Sequence, residues 1–265
     1  MEEQPPFPPS GEAVPYQRCQ ECGFIFTRYF DTWSANQMAE RIYNADYQLA
    51  DPEFADVRPN HFASLLSRWL APMRADIQVL DYGGGQGTLS ALMRRQGFQF
   101  DSYDPYFAES PAPEYRYDLV TSFEVVEHTP DPAGTFAAML SYLKPDGAIL
   151  FSTSLQPRDV TSDWTYIAPR NGHISIHTAR SLQHLAARAG MTVLSVKHAH
   201  AMFRRAADPV ARLLLADNVY DLLWQASRQN VRALVAASLA AIRMGHPVAA
   251  LNPSHAARLF LGERR

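Results

Sequence analysis

Val79-Leu-Asp-Tyr-Gly-Gly-Gly-Gln-Gly87 decides how this chain is read. Val79 and Leu80 close a short apolar strand, and Asp81 stands at its carboxyl end. Glycines follow at 83, 84, 85 and 87, and Thr88-Leu-Ser-Ala-Leu-Met-Arg-Arg95 then reads as a helix. Glycine is needed where the backbone takes a positive φ, or where a ligand must press against it with no Cβ in the way. A strand, a glycine turn and a helix N-terminus together make a nucleotide-sized crevice at the end of a parallel sheet. The spacing Asp-x-Gly-x-Gly-x-Gly differs from the dinucleotide pattern Gly-x-Gly-x-x-Gly, which argues against a nicotinamide dehydrogenase.

The next landmarks come in order. Phe98-Gln-Phe-Asp-Ser-Tyr-Asp104-Pro105 reads as a second strand ending in a carboxylate, placed to accept hydrogen bonds from a ribose. Asp101 is the rival acid, but it falls inside the strand. Tyr117-Asp-Leu-Val-Thr-Ser-Phe-Glu-Val-Val-Glu-His128 reads as a further strand and the loop after it. A helix is predicted over Pro132–Leu143, with Phe136, Met139, Leu140 and Leu143 at helical spacing. Leu143-Lys-Pro-Asp-Gly147 reads as a turn into the buried strand Ala148–Thr153. His177 to Gly190 reads as a helix closed by glycine, followed by the strand Met191–Val196.

This series resembles the class I S-adenosylmethionine (SAM) methyltransferases over roughly residues 60–200. The resemblance implies an α/β, Rossmann-like, doubly wound and mainly parallel sheet with SAM as cofactor. It places cofactor contacts at Asp81, Gly83, Gly84, Gly85 and Gly87, at Asp104 and Pro105, and at Phe123 and Glu124. Glu127 and His128 are the expected catalytic pair, with His128 as a general base whose ordinary pKa lies close to working pH. Methyl transfer needs alignment and sometimes a proton acceptor, so catalytic residues leave few marks in a sequence.

Glu124-x-x-Glu127-His128 also resembles the metal-binding stretch of ubiquinone-pathway O-methyltransferases and of small-RNA 3′-end methyltransferases. The latter add a later histidine, which His173 would match. A Glu-His pair stands in this loop in relatives without a metal as well, so the residues alone assign no metal. His173 and His177 otherwise line the acceptor pocket, or His177 simply precedes the N-cap Thr178.

Three segments are expected: residues 1–58 as an N-terminal extension, 59–205 as the SAM-binding domain and 206–265 as a helical appendix. Residues 1–15 hold five of the 19 prolines and read as an extended or disordered leader. Cys19 and Cys22, the chain's two cysteines, have the form of a zinc knuckle, and relatives carry two such pairs. A structural zinc takes four protein ligands, so one pair favours a metal-free hairpin. Trp33–Tyr43 and His61–Leu70 read as helices. The Tyr43–Tyr47 stretch folds over the site or packs outside the sheet. In the appendix Asp208 starts one helix, Asn230–Arg243 lies in another, and Ser254–Leu261 is a last short one. Its roles remain open between covering the site, a homodimer interface and plain packing.

Only twelve residues separate Asp104 from Tyr117, two of them prolines between 110 and 114, too few for the usual helix, third strand and adenine loop. A shortened or missing third strand is expected, with Tyr106 and Phe107 as stacking residues for the adenine. Net charge is −3, with 47% hydrophobic and 19% charged residues. That composition fits a cytoplasmic globular protein, offers no basic footprint for nucleic acid and holds no membrane-length apolar run. The reading is therefore a SAM-dependent methyltransferase acting on oxygen or carbon of a small molecule. Its rivals are a non-catalytic partner-binding module of the same fold and a metal-assisted RNA 2′-O-methyltransferase.

Overall fold

The computed structural model describes residues 12–105, 112–157, 159–196 and 198–216. Strands β1 (Gln17–Arg18) and β2 (Ile25–Phe26) form a hairpin, followed by α1 (Ala35–Arg41), the one-turn α2 (Tyr47–Ala50) and α3 (Val57–Trp69). Next come β3 (Gln78–Tyr82), α4 (Thr88–Arg95), β4 (Gln99–Tyr103), β5 (Tyr117–Phe123) and α5 (Pro132–Ser141). The chain continues through β6 (Leu143–Ser152), β7 (Ser175–Ile176), α6 (Ala179–Arg188), β8 (Thr192–Val196), β9 (Ala199–Phe203) and α7 (Pro209–Ala216).

Six strands form one sheet in the order β4-β3-β5-β6-β9-β8. The first four run parallel, and β9 pairs antiparallel with both β6 and β8. Successive residues of a strand face opposite sides, and the sequence exploits this. Val79, Leu119, Ala148 and Leu150 meet Phe62, Leu66 and Trp69 of α3, Leu89 and Met93 of α4, and Val210 and Leu214 of α7. Leu80, Val120, Ile149 and Phe151 meet Phe136 and Met139 of α5 and Leu182 and Ala186 of α6 on the other face. Each such side chain contributes about 1.5–3 kcal/mol on full burial. The α/β doubly wound expectation holds, and because the parallel strands share a direction, their carboxyl ends gather the loops that carry the site.

The N-terminal hairpin takes β7 as a third antiparallel strand, pairing Ile25 with Ile176. The Thr178 hydroxyl accepts from Ser181 N at 2.9 Å as the N-cap of α6, and it donates to Cys22 O at 2.7 Å. One side chain thus ends a helix and fastens the hairpin to it. The expectation that the cysteine pair forms a hairpin is met.

Several element bounds differ from the sequence reading. Helix α3 starts at Val57 rather than His61, since Pro59 lies in the first turn, where a missing N–H costs nothing. Helix α1 covers only part of Trp33–Tyr43; Trp33 lies outside it, with the Arg41 guanidinium 4.5 Å above its ring. Leu143–Gly147 is no free turn. It belongs to β6 as a bulge: Tyr117 pairs with Leu143, while Leu119 already pairs with Ala148. Lys144 Nζ reaches both oxygens of Asp118 at 3.0 Å, and a Cβ on Gly147 would sit 2.8 Å from Asp118 O. Strands β7 and β9 were not foreseen; two-residue strands and strands rich in small residues give little periodic signal. Among the described residues β4 is one edge of the sheet, and no strand lies between it and β5 in the chain. Tyr106, Phe107 and the appendix helices beyond residue 216 lie outside the described residues, as does any homodimer contact they would make.

Candidate active site

The glycine turn after β3 has the geometry its composition predicts. Gly83, Gly85 and Gly87 take φ of 76°, 54° and 77°, and Gly87 is the left-handed residue from which α4 starts. Gly83 and Gly84 are needed for room. A Cβ on Gly83 would lie 2.7 Å from a Val125 methyl, and one on Gly84 would lie 2.6 Å from Asp81 Oδ2. Gly85 differs, because a Cβ there would meet nothing within 4 Å. Its bare face opens on space, and Asp104 Oδ2 accepts a 3.0 Å hydrogen bond from its backbone N–H. Asp104 is therefore the acid at the loop. Asp101, exposed, accepts instead from the Tyr117 hydroxyl at 2.9 Å. Pro105 follows Asp104 at the surface.

Asp81 is buried beneath this loop, and Thr121 Oγ1 donates to its Oδ1 at 2.9 Å. Burial, with the Asp104 charge adding to it, pushes its carboxyl up to about 7 against the relief that Thr121 gives. A positively charged ligand group arriving at this loop would favour its ionised form.

The second half of the site follows β5, beside the glycine turn. Glu124 takes φ of 53°, a left-handed conformation that a side chain adopts at a cost. Ser152 holds it there: its Oγ accepts from Glu124 N at 2.9 Å and donates to Glu124 Oε1 at 2.6 Å. Phe123 stacks on Phe62 of α3 with ring centroids 3.7 Å apart, which fixes the strand end against the helix.

Glu127 is fully buried. Tyr166 Oη donates to its Oε1 at 2.7 Å, while its Oε2 has no hydrogen-bond partner among the described residues. Burial, reinforced by the nearby Glu124 charge, raises its carboxyl well above the ordinary range. His128 Nδ1 lies 3.1 Å from Gly172 O, and His173 Nδ1 lies 2.8 Å from Tyr166 O. A carbonyl only accepts, so each Nδ1 carries the proton and each Nε2 of the neutral ring holds a lone pair. The two rings meet edge-on at 5.1 Å. One ligand atom from each of Glu127, His128 and His173 falls within 4.8 Å of the others.

This corrects the sequence reading of His128. Its pKa is not the ordinary one: burial, with His173 beside it, pushes the imidazole down to about 3. At neutral pH it is an uncharged lone-pair donor rather than a base poised near working pH. His173 is lowered too, also by burial. The structure brings three of the four residues suggested by the Glu-x-x-Glu-His resemblance into one cluster. Glu124 accepts from Ser152 and stays close enough to Glu127 for its charge to raise that carboxyl. His177 is fully buried against Phe24, rings 5.0 Å apart, and belongs to the packing beneath Thr178.

Sequence reasoning missed Tyr166, which serves the cluster twice, through its hydroxyl to Glu127 and its carbonyl to His173. Nothing in the loop Gln156–Ala168 signals this, because its value depends on where the chain returns in space. It also left open the side on which the N-terminal extension lies. The Tyr43 ring packs edge-on to His128 at 6.0 Å, Arg170 donates to Ile42 O at 3.0 Å, and Asn171 donates to Ala50 O at 3.1 Å. Arg58 grips Asp51 with two hydrogen bonds of 2.8 and 2.9 Å. The extension therefore borders the cluster. At the hairpin tip, Cys19 and Cys22 are both half-buried and free.

Among the described residues no helix is long and apolar enough to cross a membrane. Residues 54–196 match the family model described as a methyltransferase domain. The ubiquinone biosynthesis O-methyltransferase of Yersinia enterocolitica is 36% identical over a match covering 29% of this chain and 43% of the relative. That of Xanthomonas campestris is 29% identical over 42% of this chain and 66% of the relative. The chain thus spans between about two fifths and two thirds of the length of these curated relatives. Among solved structures, magnesium protoporphyrin IX methyltransferase from Synechocystis, with bound S-adenosylhomocysteine (SAH), is similar at TM-score 0.45 and 13% identity. The match covers 67% of this chain and 98% of that one. The 1,6-didemethyltoxoflavin N1-methyltransferase of Burkholderia thailandensis, also with SAH, gives 0.44 and 18%, covering 72% and 97%.

Proposed function

The chain belongs to the methyltransferase-domain family, and from that premise we propose that it transfers a methyl group from SAM to an oxygen of a small molecule. The observation that carries the reading is a juxtaposition. The open face at Gly85, with Asp104 beside it, lies at the end of β3, and the Glu127–His128–His173 cluster follows the end of the neighbouring β5. A cofactor seat and a cluster that presents lone pairs share the carboxyl-terminal end of the sheet.

The residues fit the cofactor. The bare Gly85 face gives a cradle that a Cβ would fill, Asp104 offers acceptor oxygens for ribose hydroxyls, and Asp81 gains from a cationic neighbour. SAM, when bound, supplies a methyl group activated by sulfonium charge. The chain's own work is then alignment and proton handling. Glu124, Phe123 and Pro105 are the further residues assigned to the cofactor, and His128 Nε2 offers its lone pair to a hydrogen bond from the acceptor's hydroxyl, which orients that oxygen toward the methyl group. His128 stays oriented through Nδ1 to Gly172 O. Oxygen is preferred over carbon because the curated relatives are named O-methyltransferases, and small molecules over nucleic acid because the chain has net charge −3.

A second reading is favoured by one observation. Glu127 Oε2 is buried without a hydrogen-bond partner among the described residues and shares its surroundings with two imidazoles that present lone pairs. A divalent cation held by Glu127, His128 and His173 would satisfy that oxygen, and such an ion acidifies a hydroxyl that it binds. The two readings place the acceptor at the same cluster and differ in what takes up its charge.

Calorimetry with SAH, followed by mass spectrometry of a panel of phenolic and catecholic acceptors with SAM, tests the proposal. Binding of SAH together with a 14 Da gain on an acceptor is the expected result. Absence of SAH binding by folded protein would leave the chain as a partner-binding module of this fold. Inhibition by a chelator, reversed by Mg²⁺ or Mn²⁺, separates the cation reading from the imidazole one.

A further inference from the structure

Cys19 and Cys22 belong to neither the cofactor seat nor the histidine cluster, yet they sit in a formed turn rather than on a loose end. Cys19 N donates to Phe24 O at 2.8 Å, and Gly23 N donates to Cys19 O at 2.9 Å, which closes the hairpin tip around the pair. Gly23 takes φ of 77°, the left-handed conformation that brings the chain back on itself. Both thiols are free and half-buried, and the Cys22 thiol donates to the Cys19 sulfur. The two sulfurs are not equivalent. Backbone N–H groups of Cys22 and Glu21 point at Cys19 and hold its thiol below the ordinary range, against the Glu21 charge, whereas burial pushes Cys22 up. The turn therefore presents one sulfur ready to attack and a second, protonated one in contact with it.

The backbone of this tip is tied to two other elements. Cys22 O accepts from the Thr178 hydroxyl at 2.7 Å, and Gly23 O accepts from Gln156 Nε2 at 2.9 Å. Thr178 caps α6. Gln156 opens the return of the chain that brings Tyr166 to Glu127 and His173. A shift of the two carbonyls at the tip is therefore felt by a helix start and by the segment that carries Tyr166.

We propose that Cys19 and Cys22 form a reversible thiol–disulfide site that reacts with hydroperoxides and, once closed, shifts the segment carrying Tyr166. The Cys19 thiolate attacks one oxygen of hydrogen peroxide. An S–O bond forms, the O–O bond breaks, and the departing hydroxide takes up the proton that Cys19 shed. The Cys22 sulfur then attacks the sulfenic sulfur of Cys19. The S–S bond forms, the S–O bond breaks, and the second oxygen leaves as water with the Cys22 proton. The two sulfurs give up two electrons, and one peroxide becomes two waters. Closure draws the sulfurs from hydrogen-bond contact to about 2.05 Å, and the Cys22 and Gly23 carbonyls carry that movement to Thr178 and Gln156. The dithiol form leaves the cluster as described above, so an oxygen in place of either sulfur is silent and only the covalent bond acts.

The test treats the reduced 265-residue chain, which has no other cysteine, with one equivalent of hydrogen peroxide. Both titratable thiols should disappear, the mass of the monomer should fall by about 2 Da, and dithiothreitol should restore both. Cys22→Ser should stop at a sulfenic acid that dimedone traps on Cys19, and Cys19→Ser should react at least about tenfold more slowly than the wild type. Hydrogen exchange read by mass spectrometry reports the coupling. Oxidation should change exchange in peptides covering residues 161–173 by at least about threefold, with no change in Cys19→Ser/Cys22→Ser protein given the same peroxide. Thiols that survive peroxide, oxygen gained without return on reduction, a disulfide between two chains, or one zinc held per chain by the pair would overturn the site. A closed disulfide with unchanged exchange over 161–173 would overturn the coupling. Neither measurement needs SAM or a known acceptor, so both stand whatever becomes of the methyltransferase reading.

Discussion

The proposed cofactor side and the proposed acceptor side of this site each bury a carboxylate, and they are assembled in different ways. Asp81, the glycines and Asp104 come from a single strand–helix–strand unit, residues 78–104, and Thr121 on the adjoining strand completes it. The acceptor side draws Glu127 and His128 from the loop after β5, Tyr166 and His173 from the excursion between β6 and β7, and Tyr43 from the N-terminal extension. The local half needs its own turn geometry and one side chain of the adjoining strand. The dispersed half depends on three segments arriving together, so loop changes far away in sequence can alter the acceptor without touching the cofactor.

That contrast can be broken by mutation. The largest effect is expected on the dispersed half. His128→Ala and Glu127→Ala should each lower turnover by about two to four orders of magnitude while SAH affinity stays within about threefold of the wild type. Steady-state kinetics beside calorimetry reads both quantities, and full activity in stable His128→Ala protein would remove that residue from the chemistry. On the local half the pattern reverses. Gly85→Trp places a ring in the open cradle and should weaken SAH binding by about a hundredfold or more, with the fold intact by circular dichroism. A normal affinity in that variant would break the assignment of the cofactor seat.

The pH dependence of stability sharpens the comparison through one group from each half, Asp81 and His128, which are shifted in opposite senses. The Asp81 carboxyl is raised to about 7 from an ordinary value near 4, so the unfolded chain sheds its proton first. Its contribution is fully present at low pH and lost as pH climbs from about 4 through 7, at most about 4 kcal/mol. His128 is lowered to about 3 from an ordinary 6.5, so the unfolded chain takes up its proton first. Its contribution is present above about pH 6.5 and lost as pH falls toward 3. Melting temperatures of Asp81→Asn relative to wild type should therefore rise between pH 4.5 and 8, and those of His128→Asn relative to wild type should fall. Two curves of the same slope would show that Asp81 and His128 are not shifted in opposite senses.

The smallest effect is expected where neither half reaches. Cys19→Ser, at the hairpin tip, should leave turnover and SAH affinity unchanged and alter stability by less than about 0.5 kcal/mol. Elemental analysis of the wild type should find no stoichiometric zinc, since one pair of thiols lacks two of the four ligands. One zinc per chain, lost in Cys19→Ser, would reverse that expectation.

Strand β3, the glycine turn, α4 and the acid after β4 were legible in the residues because each rests on a rule of short range. Apolar pairs end a strand, glycine permits a positive φ, and a carboxylate at a strand end lies beside the next loop. The sheet's two-sided packing was legible for the same reason, since alternation along Val79–Leu80 and Leu119–Val120 already assigns each residue a face. Tertiary structure decided the rest. The bulge at Lys144–Gly147 follows from Asp118 on the adjoining strand, the orphaned oxygen of Glu127 from the exclusion of water by three segments, and the depressed basicity of His128 from burial beside His173. None of these is a property of the residue named, because electrostatic free energy depends on distance and on surrounding polarisable matter, and sequence order specifies neither.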